Sequence, residues 1–330
     1  MNKKDLVNAE KFINKASSIN NKNINYKMEK INILIAQKRF KEVLKLIEEM
    51  QNLKKIDQNE YSFLESKKYL ALSELQPKKE LKDYYRAKSY YIDGEYSVAK
   101  ETLKPLVTKN SKLSDVYTLN ALVYMAENDN KIAKEQFNKA LKLNKSDYNA
   151  YIGLGDIEFN SSNYGKALQY YKIANKYVKG DEISTYKLGL ASEMTGNIQK
   201  ALEYYQKSNL KGTNYLAYYG TGKIQAETDE LEKAVKNLKK SASINPLHSP
   251  TWIELAQIEL KKNNSFSAIE YLIPVKYINP EDANYYYVSG LISKMNDNKT
   301  NAIKQFKKAL ILNPKYHEAQ SELSKLEIDK

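Results

Sequence analysis

The sequence contains no cysteine, which excludes disulfides, thiolate zinc sites and cysteine nucleophiles. Only two histidines occur, His248 and His317, too few to pair a base with a nucleophile or to build a transition-metal site. Arginine is almost missing too: Arg39 and Arg86 stand among the lysines that give the 330 residues a formal net charge of +13. Arginine is the better residue for bidentate phosphate and guanine contacts, so the charge reads as solvated lysines interleaved with acids on helix surfaces. No long apolar run is present. The opening MNKKDLVNAEKFINKASSIN is charged from the start and resembles neither a signal peptide nor a membrane anchor. As it stands it reads as the start of a cytoplasmic protein; a removed signal would make the chain periplasmic or envelope-associated. A hydrophobic content of 42% suffices for a core. The abundance of Lys, Asn, Ile and Tyr is what an AT-rich, bacterial coding sequence gives.

Two glycine pairs invite a nucleotide-binding reading. YYGTGK, from Tyr218 to Lys223, carries two glycines and a lysine. A phosphate loop of the GxxxxGK[ST] kind needs an earlier glycine and a hydroxyl after the lysine, and those places hold Ala217 and Ile224. YIGLGD, from Tyr151, repeats the pattern, with Gly153 and Gly155 each 67 residues before Gly220 and Gly222. Taken as 34 plus 33, that distance points to an internal repeat.

Three tripeptides fix the period: Ile244-Asn245-Pro246, Ile278-Asn279-Pro280 and Leu312-Asn313-Pro314 follow at steps of 34. Each proline marks a helix stop, and Leu143-Asn144-Lys145 holds the same place without one. Each unit contains two amphipathic segments joined by a short polar turn. In SDVYTLNALVYMAEN, Tyr117, Ala121 and Tyr124 share a helix face, and in the next segment Ala133, Phe137 and Ala140 do so. Small residues at such positions let two helices cross closely.

These units resemble tetratricopeptide repeats, whose pattern sets an aromatic, Leu, Gly or Ala, Tyr, Ala, Phe, Ala and Pro at positions 4, 7, 8, 11, 20, 24, 27 and 32. The unit from Tyr148 supplies Tyr151, Leu154, Gly155, Ala167, Tyr171 and Ala174. That from Ser249 supplies Trp252, Leu255, Ala256, Ala268, Leu272 and Pro280. That from Ala283 supplies Tyr286, Gly290, Ala302, Phe306, Ala309 and Pro314, departing at Ser289 and Ser293. In the unit from Tyr215, Gly222 takes position 8 and Tyr218 position 4, so YYGTGK is expected inside a first helix.

The resemblance implies an all-α fold, a right-handed superhelical solenoid of antiparallel helix pairs. Seven units are expected over residues 80–316, starting at Glu80, Ser114, Tyr148, Glu182, Tyr215, Ser249 and Ala283. The one from Glu182 is a residue short, near Leu210-Lys211-Gly212. A C-terminal capping helix is expected within 317–330, because a terminal repeat would otherwise expose its apolar face. Residues 1–79 carry amphipathic stretches near 6–17, 24–37, 40–53 and 61–75, hence four divergent helices in two more hairpins, with Pro77 ending the last.

Chemistry finds little support. The two histidines stand apart, as isolated surface residues commonly do. Glu254 and Glu259 do not share a helix face. Stacked hairpins offer no deep pocket to desolvate an acid. No catalytic residue, cofactor or metal is expected, and the chain reads as a non-enzyme.

In the family, first-helix positions 2, 5, 9 and 12 line a concave groove. Carried onto this sequence, they give Tyr84, Lys88 and Tyr91, then Asn149, Ile152 and Asp156, then Tyr186 and Leu190. Tyr219 and Lys223, Ile253 and Gln257, and Asn284, Tyr287, Leu291 and Lys294 continue the series. Tyrosine recurs at position 5 in four units, which suits a recognition surface; the 28 tyrosines of the chain give a second reading, simple composition. The family's clamp for acidic C-terminal tails is absent, since position 6 holds Leu119, Gly153, Lys187, Gly220, Glu254 and Val288.

The resemblance implies a scaffold or adaptor that binds a protein or peptide segment, acidic and aromatic in character. Two alternatives stand beside it: a basic nucleic-acid-binding or RNA-regulatory protein, and an exported or lipid-anchored assembly factor of a bacterial envelope machine. On sequence alone, Tyr219→Ala with Lys223→Glu is expected to weaken partner binding and leave the thermal midpoint nearly unchanged, as surface substitutions do; circular dichroism melting checks the second half.

Overall fold

The computed structural model describes residues 3–20, 23–52, 56, 58–210 and 212–328, so Lys211, within the expected one-residue deletion, lies outside the described residues. Among them are nineteen helices and no strand. They fall into two compact units, residues 1–177 and 178–330.

The first unit holds α1 (Lys3–Ile19), α2 (Ile24–Ala36), α3 (Phe40–Gln51), α4 (Gln58–Leu75), α5 (Lys79–Ile92), α6 (Tyr96–Thr108), α7 (Ser114–Ala126), α8 (Asn130–Leu143), α9 (Tyr148–Asn160) and α10 (Tyr164–Tyr177). The second holds α11 (Glu182–Met194), α12 (Ile198–Ser208), α13 (Tyr215–Glu227), α14 (Leu231–Ile244), α15 (Ser249–Lys261), α16 (Ser265–Ile278), α17 (Ala283–Met295), α18 (Lys299–Leu312) and α19 (His317–Ile328). From α5 onward, first and second helices alternate with the period read in the sequence. The helices before Pro246, Pro280 and Pro314 end at Ile244, Ile278 and Leu312.

Two local devices punctuate the array. Asparagine or aspartate caps many helix starts: Asp147 accepts from the Ala150 amide, Asp181 from Ser184, Asn214 from Ala217 and Asn264 from Ser267. Each such cap satisfies an amide that has no partner inside the helix. Within each pair the turn passes through one left-handed residue, at Gly94, Asn128, Ser162, Gly196, Asp229, Asn263 and Asp297. Glycine tolerates that conformation without penalty, and Asn and Asp are the side chains that adopt it most readily.

Packing explains the glycine pairs. A Cβ built on Gly220 would lie 2.7 Å from the Tyr205 ring of α12, and one on Gly222 would lie 2.8 Å from Leu238 Cγ of α14. Helix α13 is therefore wedged between the second helix before it and its own partner, with one glycine seating each. Gly153 and Gly155 seat Phe137 and Tyr171 in the same way. YYGTGK is a helix-packing segment inside α13, as the repeat register predicts.

All four N-terminal helices are present, and two further features join them. The tight turn falls between α2 and α3, where left-handed Lys38 occupies the place that Gly94 takes later. Its amides bond back to Ile33, Ile35 and Leu34 just as those around Gly94 bond to Ser89, Tyr91 and Tyr90. Helix α4 lies along α5: Ser66 and Ser89 hydroxyls meet at 3.2 Å, Glu74 receives Lys82 and Arg86, and the Tyr69 and Tyr85 rings stack. Helix α4 ends at Leu75, before Pro77, and α3 ends at Gln51, short of Leu53, which lies outside the described residues. At the far end, Ala319, Leu323 and Leu326 of α19 close over Phe306.

Two glycines separate packing from propensity. Gly222→Leu is expected to cost about 1–3 kcal/mol by overpacking against Leu238. Gly165→Ala in α10, where a Cβ meets nothing within 4 Å, should gain roughly 0.5–1 kcal/mol. Urea denaturation of both variants tests this, and shifts of the same sign would refute the seating role of Gly222.

Candidate partner-binding faces

The residues that the repeat register assigns to the groove lie in three clusters, one in the first unit and two in the second. On α5, Tyr84 and Tyr91 rest against a core of Ala87, Leu103 and Val116. Lys88 of the same helix sits over the Tyr69 ring, its Nζ 4.1 Å from the centroid. Burial and the charges of Asp115 and Asp147 push the Tyr84 hydroxyl well above its ordinary pKa, and burial does the same to Tyr91. Asn149 is exposed on α9. Asp156, which the register also places there, is engaged: it accepts the Tyr171 hydroxyl at 2.7 Å.

The second cluster joins α11, α13 and α15. Tyr186 stacks on Tyr205 with centroids 5.6 Å apart, and the Tyr205 hydroxyl donates to Glu193 at 2.6 Å. Lys223 donates to the other oxygen of Glu193 at 3.0 Å and lies 3.7 Å from Glu227. Burial raises the pKa of Tyr186 to about 12 and that of Tyr219 further. Glu254, on the neighbouring α15, makes no hydrogen bond among the described residues, and its carboxyl is held above the usual range by burial, which the Lys223 charge only partly offsets.

His248 belongs to this region and is not the surface residue expected. Its ring meets Tyr215 and Tyr219 edge-on at 5.2 and 4.9 Å, and Nδ1 pairs with the Thr251 hydroxyl at 2.7 Å. Burial lowers its pKa, so the imidazole is neutral at pH 7. It is a joint between α13 and α15.

The third cluster joins α17 to α19. Tyr287 contacts Phe306 and Tyr316, the latter at 4.9 Å, and Tyr316 donates to Asn284 at 2.7 Å. Leu291 packs on the same core, and Lys294 is bonded to Glu322, which also receives Lys325. Ile253, another groove position in the register, is buried in the core and offers nothing to a partner. The residues missed are mostly counter-ions. Glu193 stands at position 12 of its repeat, a groove position, so its register was available; Glu254, Tyr205 and Glu322 come from positions that the register does not assign to a surface. Among the described residues, no group of three His, Cys, Asp or Glu could hold a metal ion, and no helix is long and apolar enough to cross a membrane.

Comparison with known proteins agrees with this architecture. Residues 118–177 match the tetratricopeptide repeat family model. The chain is 31% identical over 177 residues to the TPR repeat-containing protein MJ1428 of Methanocaldococcus jannaschii, a match spanning 52% of this chain but only 30% of that relative. Among solved structures, the APC/C assembly of Cut9 and Hcn1 holds a chain that aligns with 97% of this one at a TM-score of 0.64 and 19% identity, covering 59% of its own length. A tetratricopeptide repeat protein of Parabacteroides merdae aligns with 75% of the chain, TM-score 0.59 and 17% identity, over 98% of its length. PilW, a type IV pilus biogenesis factor, aligns with 64% at 0.56 and 20%, over 98% of its length. Residues 118–177 thus carry the family match, and the all-helical fold of the chain as a whole resembles that of solved tetratricopeptide repeat structures.

The geometry corrects the sequence expectation for Lys223. Replacing it by Glu would set another carboxylate beside Glu193, Glu227 and Glu254, so Lys223→Glu should lower the thermal midpoint rather than leave it unchanged. Glu254→Gln should raise it at pH 7. The folded-state pKa of Glu254 lies above its unfolded value, so its ionised form is penalised at neutral pH and the penalty vanishes below the unfolded pKa. The advantage of Gln should therefore disappear near pH 4, as melting curves at the two pH values will show.

Proposed function

We propose that the chain is a non-enzymatic scaffold that binds a segment of another protein along the first-helix faces of its repeats and holds it in an assembly. The carrying observation is the state of the tyrosine hydroxyls. Second-helix Tyr171 and Tyr205 spend theirs on Asp156 and Glu193. First-helix Tyr84, Tyr186, Tyr219 and Tyr287 are seated by ring contacts, yet their hydroxyls make no hydrogen bond among the described residues. A ring fixed by packing with a free polar tip provides contact area at little cost in entropy, and such residues dominate binding energy at interfaces.

The state of the lysines refines the partner. Lys223 and Lys294 are paired with Glu193 and Glu322, and Lys88 covers an aromatic ring. An acidic segment would have to displace those carboxylates, so the expected preference for acidic partners loses its basis. Aromatic stacking and hydrogen bonding to tyrosine suit a neutral or basic segment instead. The same pairing weakens the nucleic-acid alternative, which needs free cations along the face.

Affinity purification of the tagged chain from its source cells, with nuclease and at two salt concentrations, identifies the partner. The recovered proteins are expected to survive both treatments. With that partner, Tyr219→Ala should weaken binding by roughly 30-fold, a loss near 2 kcal/mol. Tyr219→Phe, which removes only the hydroxyl, should cost about 1 kcal/mol. Unchanged affinity in both variants would refute the assignment of Tyr219.

A further inference from the structure

The second helices of a repeat array normally turn polar side chains to solvent. Helix α16 turns few. Its sequence SFSAIEYLIPVKYI carries only two charges, the exposed Glu270 and Lys276, and Ala268, Leu272 and Val275 already satisfy the core. On the opposite face Phe266, Ile269, Ile273 and Tyr277 follow one another at intervals of three and four residues, so they form a continuous stripe. They remain 71, 45, 54 and 80% exposed. An exposed apolar row of this kind marks a contact surface.

We propose that this stripe binds the same stripe of a second copy of the chain, with the two α16 helices antiparallel. The order of side chains singles out this occupant. A two-fold interface needs residue i of one copy opposite residue j of the other, and j opposite i. Aromatic, isoleucine, isoleucine, aromatic reads the same from both ends. Two antiparallel copies therefore set Phe266 on Tyr277 of the second copy and Ile269 on its Ile273, the two contacts agreeing in register to within one residue, about 1.5 Å, and the reverse contacts follow by symmetry.

Shape and area agree. Beside the stripe lies a hollow of about 530 Å³, lined by Ile269, Ile273, Tyr277, Tyr285 and Ile292 among others, so the same surface carries both a ridge and a recess for a ridge. An aromatic side chain carries about 150–250 Å², and the stripe thus exposes on the order of 400 Å² per copy. Two copies with the rims of the hollow approach the ~1,000 Å² that a specific interface needs. The contact lies on second-helix side chains, so it leaves Tyr186, Tyr219 and Tyr287 free for a partner. The two proposals stand or fall separately.

Sedimentation of the full chain over a concentration series tests the association. The mass should rise toward that of a dimer in the micromolar range. Phe266→Lys with Tyr277→Lys should remain monomeric with an unchanged helical signal. Because the chain lacks cysteine, the pairing can be read directly by oxidative cross-linking. A mixture of the single variants Phe266→Cys and Tyr277→Cys should form the mixed dimer. Phe266→Cys alone should not cross-link, since its two copies would lie roughly 16 Å apart along the helices. A wild-type chain that stays monomeric at ~100 µM, a dimer indifferent to the lysine variants, or cross-linking of Phe266→Cys with itself would each overturn the proposal.

Discussion

Each unit of this structure depends on one contact, a large side chain at position 24 of a second helix inserted between its own first helix and the next helix of that unit. Leu103, Phe137, Tyr205, Leu238, Leu272 and Phe306 hold that place, Tyr171 takes the same position in the last pair of the first unit, and all are buried. A tyrosine seated between two helices needs small neighbours on both. Tyr205 shows both: Cβ atoms built on Gly189 of its own partner helix and Gly220 of the following helix would lie 2.6 and 2.7 Å from its ring. The glycines cost helix propensity, roughly 1 kcal/mol each relative to alanine, and the close-packed ring offsets that loss through the apolar area it buries. The face proposed for partners is what is left of the first helices once these seats are taken.

That dependence explains what could be read in advance. Prolines, small residues and aromatics recur because each has a fixed packing or stopping role, so a period of 34 was legible wherever those roles were filled by the commonest residue types. It failed before residue 80 because Lys38 performs the left-handed turn that Gly94 or Asn128 performs later. Lysine carries no turn signature, and the tight α2–α3 turn was invisible for that reason. The candidate face divides in the same way. Tyr219 and Lys223 followed from position alone, whereas the Lys223–Glu193 pair joins residues from adjacent repeats. Position tells which side chains line a surface, but their charge state comes from neighbours one repeat away.

The second-helix tyrosines tie the core to that surface. Tyr171 and Tyr205 fill the packing seat with their rings and reach Asp156 and Glu193 with their hydroxyls. Where position 24 is Phe137 or Phe306, the matching first-helix positions hold Leu122 and Met125, or Leu291 and Lys294, and no carboxylate stands there. Glu193 in turn holds Lys223, so a substitution inside the core at Tyr205 would alter the electrostatics of the face without touching a residue on it.

The position-24 contact also gives the array a direction in time. Within a unit, a hairpin is not sealed by its own two helices, because the seat of its large residue is completed by the helix that follows. On a ribosome, where the chain emerges from its N-terminus at about 5–20 residues per second, each pair must wait for the next helix to leave the exit tunnel before its ring is covered. The last pair is finished only when α19 is released, since Ala319 and Leu323 cover Phe306. A message cut short anywhere within the repeats would leave its final aromatic uncovered, a signal of the kind that chaperones and proteases use to sort incomplete chains.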